Sequence, residues 1–193
     1  NMSPRTPHFV TPIVAMIFGR DERYAPALDE LEKLFGPREL ESPLFPFDKT
    51  SYYEPEMGAG LKRRFVTFER LADPAQLAAW KLATNALEER FARELGMGGG
   101  QEPRAASREP PFKRCINLDP GYLTAAKLVL ASTKDFAHRI YLREGIFAEI
   151  TLRFRDGQWE AHEFTFPDFR APDYHAFLRQ ARDAHMRKRL PAG

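Results

Sequence analysis

Basic residues recur in the second half of the chain, within sequence that otherwise has the composition of a protein core. Lys127 is the one charged residue between Asp119 and Lys134, and the run Thr133-Lys134-Asp135 precedes His138 and Arg139. An unpaired ammonium group is costly to bury, so Lys127 must reach solvent, a carboxylate or a ligand. Charge-assisted hydrogen bonds from such cations to a phosphate are strong, and the pattern therefore predicts a phosphate site.

A second basic run, Lys62-Arg63-Arg64, begins a predicted strand. Side chains alternate along a strand, so Lys62 and Arg64 point to one face and Arg63 to the other. Each basic group taken alone has the alternative of being a solvated basic edge. The predicted ligand-binding set adds two tyrosines for shape and one acid; it is Lys62, Arg64, Tyr53, Tyr122, Lys127, Lys134, His138, Arg139 and Glu149.

Several of these residues have structural alternatives that the sequence leaves open. Lys127 can extend to solvent or form an internal salt bridge. Glu149 and Arg139 can form a cross-strand ion pair, which at a surface contributes only about 0–1 kcal/mol. In a catalytic role Glu149 would be a metal ligand or a general base, with His138 and His162 nearby. The rings of Tyr53 and its neighbours can stack on a base or pack in the core.

Asp119-Pro120 has the composition of a helix start. The carboxylate of Asp119 would accept hydrogen bonds from the first N–H groups of the helix, and Pro120 would fix its first turn. A phosphate at the same helix end would compete with Asp119 for those donors. The sequence therefore predicts a cap, followed by an apolar helix that carries Lys127.

The common catalytic and cofactor-binding motifs are absent. The segment from Gly58 to Lys62 lacks the glycine spacing and the hydroxyl residue of a P-loop, and no His-Glu-x-x-His, Cys-x-x-Cys or Gly-x-Ser-x-Gly motif occurs. Cys115 is predicted to lie in a buried strand, where a thiol is usually inert. The sequence thus assigns no metal and no cofactor.

Length and charge limit the class of protein. The 193 residues suit a single domain, and 29 basic against 27 acidic side chains leave a net charge of +2, too small to predict nucleic-acid binding by itself. One cysteine excludes an internal disulfide and favours a reducing, cytoplasmic compartment. The apolar run from Ile13 to Phe18 is too short for a membrane span, so no membrane partner is predicted.

Hydrophobic periodicity predicts an α+β fold: a single domain (1–193) with a mixed β-sheet, a C-terminal three-stranded antiparallel meander and about four helices. Strands are predicted at 11–18 and 63–68, and an edge strand or extended loop at 40–47. Besides the apolar helix, helices are predicted at about 26–35, 74–95 and 172–189, and a mobile loop at about 96–111.

Turn chemistry fixes the register of the meander. A three-residue loop, Arg143-Glu144-Gly145, places Ile140 opposite Ala148, and the two-residue turn Asp156-Gly157 places Phe154 opposite Trp159. In this register Arg139 and Glu149 share one face of the sheet.

Three segments resemble the signature segments of the prokaryotic family catalogued as domain of unknown function 4416. They are Thr50–Phe68, Ile116–Leu142 and Phe147–Phe154. The resemblance covers nearly the whole chain, and its long second segment is specific. The family brings no established activity, so the resemblance implies no site residues.

The residues therefore lead to three hypotheses. The first is a cationic pocket that binds, with or without processing, a phosphorylated small molecule, a nucleotide or an RNA end. The second is a metal-dependent hydrolase or transferase that uses Glu149, Asp119 and His138 or His162. The third is a protein-interaction scaffold, which would expose a wide apolar patch.

Overall fold

A nine-stranded antiparallel sheet forms the centre of the computed structural model, which describes residue 3 and residues 6–48, 53–98 and 114–189, with the backbone alone at 95–98. The strands are β1 (Thr11–Phe18), β2 (Arg38–Glu41), β3 (Phe45–Pro46), β4 (Lys62–Phe68), β5 (Ile116–Leu123), β6 (Lys127–Ser132), β7 (Ile140–Arg143), β8 (Ile146–Arg155) and β9 (Gln158–Ala161). Their order is β2-β4-β1-β5-β6-β8-β7, with β3 beside β4 and β9 beside β8. All pairings between these strands are antiparallel, although the sequence predicted a mixed sheet.

Four α-helices in the described residues complete a single α+β domain, which confirms the predicted class. They are α1 (Tyr24–Phe35), α2 (Glu54–Met57), α3 (Leu77–Gly98) and α4 (Pro172–Arg189). A 3-10 turn, Pro74–Gln76, leads into α3, and the side chain of Asp73 accepts from the Ala75 N–H as predicted for a cap. Gly36, with φ of 90°, ends α1.

Helices cover both faces of the sheet, so β1 is buried along its whole length. One set of alternate side chains, which includes Met16, packs against α1 and α3. The other set, which includes Ala15, packs against α4. The predicted extended segment at 40–47 forms β2 and β3, which lie at the edge of the sheet beside β4.

The segment predicted as an apolar helix carrying Lys127 is a β-hairpin, so that prediction is wrong. A turn over 124–126 joins β5 to β6, and Thr124 Oγ1 accepts from the backbone N–H of Lys127 at 3.1 Å. Leu128 enters one core and Val129 the other. A strand buried on both faces has no polar alternation, and its apolar run is easily read as a helix.

Asp119 and Pro120 lie inside β5, so they do not cap a helix. β6 pairs with β5 only over 121–123, and the preceding edge of β5 is open. A proline is tolerated at such an edge because no ladder hydrogen bond needs its missing N–H. Gly121 permits the close approach of β6: a Cβ on this residue would lie 2.2 Å from the Val129 carbonyl oxygen.

The predicted registers of the C-terminal hairpins are confirmed. Ile140 pairs with Ala148, and Phe154 pairs with Trp159. Residues 156 and 157 have φ of 49° and 81°, as a two-residue type I′ turn requires. β7 and β9 lie in succession along the same edge of β8, while β6 occupies the other edge.

The first of these turns differs from the prediction in length. Glu144 and Gly145 have φ of 51° and 74°, and Arg143 pairs directly with Ile146. The loop therefore has two residues, and an irregularity between Tyr141 and Arg143 restores the predicted register.

The predicted mobile loop at 96–111 coincides with the described chain only at its beginning. Residues 96–98 continue α3, so the helix extends beyond its predicted end. The remainder, 99–111, lies outside the described residues.

Candidate functional site

Four of the nine predicted ligand-binding residues meet at one end of the sheet. Lys134, His138 and Arg139 lie between β6 and β7, and Glu149 lies on β8. Glu149 Oε2 accepts from Arg139 Nε at 2.8 Å and lies 3.1 Å from His138 Nε2. Arg139 also donates through Nη1 to the Lys134 carbonyl at 2.9 Å, so the basic segment is fixed to β8.

Glu149 is well supported in this position. Its Oε1 accepts from Thr151 Oγ1 at 3.2 Å, and its side chain is 11% exposed. The Arg139–Glu149 ion pair, which was the structural alternative for these two residues, is therefore present. Because it is only partly exposed, water screens this pair less than it screens a surface pair.

Exposed aromatic rings adjoin these charged groups. His138 stacks on Phe164 with centroids 5.0 Å apart and planes 2° apart, and Phe136 meets His138 edge-on at 5.5 Å. Phe136 is 58% exposed and Phe164 46% exposed, whereas large aromatic side chains are normally covered. We call Phe136, His138, Arg139, Glu149 and Phe164 the stacking surface.

The charges around the stacking surface balance. Apart from Asp168, which pairs with Arg63, residues 134–139 and 162–170 together with Glu149 carry three cations and three acids: Lys134, Arg139 and Arg170 against Asp135, Glu149 and Glu163. Arg170 donates to the backbone carbonyls of His162 and Glu163 at 2.7 and 3.3 Å, which places it beside the segment of Phe164. The binding free energy of an anion here would therefore come from individual contacts, with little contribution from a long-range electrostatic field.

The predicted cations on β4 lie elsewhere, because β1, β5, β6 and β8 separate that strand from β7. At the usual strand spacing this separation is on the order of 20 Å. Lys62 pairs with Asp21 at 2.8 Å, and Arg64 pairs with Glu41 at 3.3 Å. Lys62 also lines a cleft of about 410 Å³ formed by β3 and the start of β4.

The three remaining predicted residues are also dispersed. Lys127 begins β6 opposite Arg153 of β8. Tyr122 packs against the core under α1 and α3, and burial raises the pKa of its hydroxyl. Tyr53 contacts Phe47 with centroids 5.8 Å apart, and burial, with a smaller contribution from the charge of Asp119, raises the pKa of its hydroxyl. The nine residues therefore do not form one pocket.

A buried polar cluster, which the sequence analysis missed, lies where α3 runs along the open edge of β5. Lys81 Nζ donates to the Leu118 carbonyl at 3.1 Å and to Asp119 Oδ1 at 2.9 Å. Glu88 Oε1 accepts from the Leu118 N–H at 2.7 Å. These two side chains satisfy the backbone N–H and C=O of Leu118, which face the open edge of β5, as buried polar groups require.

The two acids of this cluster, Asp119 and Glu88, have pKa values shifted in opposite directions. Burial opposes ionisation of Asp119, but Lys81, Arg63 and the amide of Asn117 outweigh it and lower the pKa of the carboxyl group. Burial raises the pKa of Glu88 to about 7, despite the opposing charges of Lys81 and Arg114. The cluster is thus a network of paired charges within the fold.

A second buried ion pair joins Arg63 to Asp168, and both side chains are almost completely covered. The guanidinium carbon lies 4.6 Å from the ring centroid of Phe47 and 5.0 Å from that of Phe169. Burial outweighs the attraction of Arg63 and raises the pKa of Asp168. Arg63 points away from Lys62 and Arg64 as predicted, and it holds the segment before α4 against β4.

The residues proposed for metal chemistry do not converge in the described structure. No group of three or more His, Cys, Asp or Glu side chains in residues 6–48, 53–98 and 114–189 is placed to hold a metal ion. Asp119 is bonded by Lys81, and Glu149 is shared by Arg139 and His138. His162 follows β9 with its Nε2 buried and without a partner among the described residues. This arrangement gives the metal-dependent alternative no support.

Large apolar side chains are exposed along β7 and the adjacent part of β8. Ile140, Tyr141 and Leu142 are 70%, 59% and 40% exposed, and Ile150 is 45% exposed. β7 is the last strand in the order β2-β4-β1-β5-β6-β8-β7, so one of its edges has no strand partner in the described chain. This is the feature that an interaction scaffold predicts.

The chain belongs to the DUF4416 family, a domain of unknown function, because the family model matches residues 8–185. The resemblance inferred from the three sequence segments is therefore confirmed. No curated protein and no solved structure matches the chain. In the described part of the structure, none of the helices has both the length and the apolar character of a membrane span.

Proposed function

We propose that this protein binds a nucleotide, as a free small molecule or as the terminal nucleotide of an RNA, on the stacking surface. The observation that carries the proposal is the exposed Phe136–His138–Phe164 ring group beside Arg139. A base can stack on the exposed rings, which contributes about 1–3 kcal/mol per base. Charged donors beside the rings can reach the phosphate.

Arg139 is prepared for this role by its partners. Its Nε is bound to Glu149 and its Nη1 to the Lys134 carbonyl, while Nη2 has no partner among the described residues. The side chain is therefore fixed in position, and its Nη2 group can still donate to a ligand. A prepositioned guanidinium loses little conformational entropy when it binds an oxyanion.

The balanced charge favours one nucleotide over a long RNA tract. Binding of a nucleic acid along its backbone requires several unpaired cations, and its affinity falls steeply with salt. Here Arg139 is already paired with Glu149, and Arg170 donates to backbone carbonyls, so stacking would dominate. We expect affinity for a nucleotide to change little between 50 and 200 mM salt, in accordance with this mechanism.

Titration calorimetry with adenosine and guanosine monophosphates tests the proposal. Removal of one stacking ring in Phe136→Ala or Phe164→Ala should weaken binding by roughly 5- to 150-fold, the equivalent of about 1–3 kcal/mol. Phe9→Ala is the matched control, since Phe9 is also exposed, at 59%, and lies outside the stacking surface. Ribose 5-phosphate, which lacks the base, should bind much more weakly. Equal binding by all three variants, or no binding of either nucleotide by the wild type, would refute the proposal.

A cytoplasmic location accompanies this function as part of the proposal. Its support is the single cysteine, Cys115, which is free and half-buried, and the absence of any pattern that requires an oxidising compartment. Free nucleotides and RNA ends are cytoplasmic ligands. Fractionation of cells that express a tagged chain would test the location.

The apolar strand β7 favours a second candidate function, a protein-interaction surface. An edge strand can pair with a strand of another chain, and the exposed side chains of Ile140 and Tyr141 would be buried in the extended sheet. Sedimentation velocity tests the simplest form, pairing with a second copy. Ile140→Lys should then shift a dimer to monomer without affecting nucleotide binding. A monomeric wild type at high concentration would exclude that form.

A further inference from the structure

A cleft of about 460 Å³, which shares no residue with the stacking surface, lies between the end of α1 and the start of α3. Phe9 and Pro12 line it from the chain that enters β1, Leu34 and Phe35 from α1, and Gln76 and Trp80 from the start of α3. The segment after β4, which includes Arg70 and Asp73, completes the wall.

The backbone around this cleft is fixed. Val10 and Ala72 form an isolated β-bridge, with the Val10 N–H donating to Ala72 at 2.8 Å and the Ala72 N–H donating to Val10 at 2.9 Å. Phe35 and Trp80 pack edge to face with centroids 5.5 Å apart. The chain before β1 is thus tied to the segment after β4, and α1 is tied to α3.

Arg70, an exposed residue at the wall of this cleft, packs its side-chain stem over Gly36. A Cβ on Gly36 would lie 2.8 Å from Arg70 Cδ and 3.0 Å from its Nε, so the arginine stem occupies the space that a side chain would fill. Arg70 forms no ion pair with an acid in the described parts of the chain. Asp73, the acid that lines the cleft, accepts from the Ala75 N–H at 2.8 Å.

Among the described residues, the cleft therefore combines a cation that has no ion-pair partner with apolar side chains that are partly exposed. Phe9 is 59% exposed and Leu34 39% exposed, while Trp80 contributes a buried aromatic wall. Small-molecule sites typically combine an apolar wall with a few polar anchors. One guanidinium with a carboxylate nearby favours a singly charged anion, because Asp73 would repel a phosphate dianion.

We propose that this cleft binds a small monocarboxylate with an apolar or aromatic body. The carboxylate pairs with the guanidinium of Arg70, a geometry that permits two parallel hydrogen bonds. The body of the ligand covers Phe9 and Leu34 and contacts Trp80. This site is independent of the nucleotide proposal, because none of its residues belongs to the stacking surface.

Tryptophan fluorescence provides a direct test, because the chain has two tryptophans and only Trp80 lines the cleft. In Trp159→Phe, titration with phenylacetate or hexanoate should produce a saturable change in Trp80 emission with at least one of them. Indole-3-acetate is itself fluorescent, so its binding is measured by ligand-observed NMR. Saturation-transfer NMR on the wild type gives the same test without the variant.

The charge requirement is tested with two comparisons. Arg70→Gln should weaken binding at least tenfold, and benzyl alcohol, which has a similar ring without a carboxylate, should not bind measurably. Phe136→Ala, which alters the stacking surface alone, should leave this binding unchanged. No saturable binding of any of the three acids to the wild type, or equal binding to Arg70→Gln, would overturn the proposal.

Discussion

Among the seven glycines whose surroundings the structure describes, Gly121 is the position at which adding a methyl group creates the closest contact. The Cβ of Gly121→Ala would lie 2.2 Å from the Val129 carbonyl oxygen and 2.6 Å from Leu130 Cδ2. Ordinary contacts begin at 3.4 Å, so β5 and β6 must separate by about 1 Å. A separation of that size disrupts the hydrogen bonds of the Gly121–Leu130 pair, which lies between both cores.

The expected cost is at the upper end of the range for overpacking, about 3 kcal/mol. For a domain of this size, about 2–4 °C of melting temperature corresponds to each kcal/mol, so the midpoint should fall by about 6–12 °C. Thermal unfolding followed by circular dichroism measures this shift.

Gly19→Ala is the matched control for this experiment. Its Cβ would meet its nearest neighbours, Leu61 Cδ2 and the Met57 carbonyl, at 3.4 Å, which is ordinary contact. The melting temperature should therefore stay within about 2 °C of the wild type. If Gly121→Ala also melted within 2 °C of the wild type, the close β5–β6 approach would be wrong.

Two further predictions concern the buried charges. Since burial raises the pKa of Glu88 to about 7 from 4.5, the stability that its protonated form contributes is complete below pH 4.5 and is lost as the pH rises through 7. Urea titrations should therefore show Glu88→Gln gaining up to about 3 kcal/mol relative to the wild type between pH 4.5 and 8, and a difference that is constant with pH would contradict this. Comparison at each pH cancels groups common to both proteins, such as His185, whose pKa burial lowers to about 4. Asp168→Ala should cost about 3–5 kcal/mol because it leaves Arg63 buried and unpaired, and Arg63→Met with Asp168→Leu should recover most of that loss in thermal melts. A double variant no more stable than Asp168→Ala would show that the pair stabilises the fold in itself.

The parts of the fold that were predicted correctly depend on local chemistry. Asp73 and Pro74 begin the helical segment, and Asp156-Gly157 forms the expected type I′ turn, because the relevant interactions lie within a few residues of one another. The apolar stripe of α1 and its glycine stop are equally local. Caps and turns of this kind form largely independently of the tertiary structure.

The prediction failed where the environment decides the structure. β6 is apolar because α3 and α4 cover opposite faces of the sheet. The local sequence from Lys127 to Ser132 does not indicate that both faces of the strand are covered. The same limit applies to the strand order. Two basic runs that look alike in sequence lie on β4 and beside β7, with four strands between them. Only the side chains close in sequence to their strand partner, Arg139 and His138, could be placed beside Glu149 in advance.

The missed cluster on α3 did leave a signal in the sequence. Lys81, Thr84 and Glu88 recur at spacings of three and four residues, on the helix stripe that contains the buried Trp80. Charged residues on a buried stripe must have buried polar partners. For α3 these partners are the Asp119 side chain and polar backbone. The open edge of β5 is that backbone. The interruption of the β5–β6 ladder and the charges on α3 are therefore two consequences of one arrangement, in which a helix completes a strand edge that a neighbouring strand leaves unpaired.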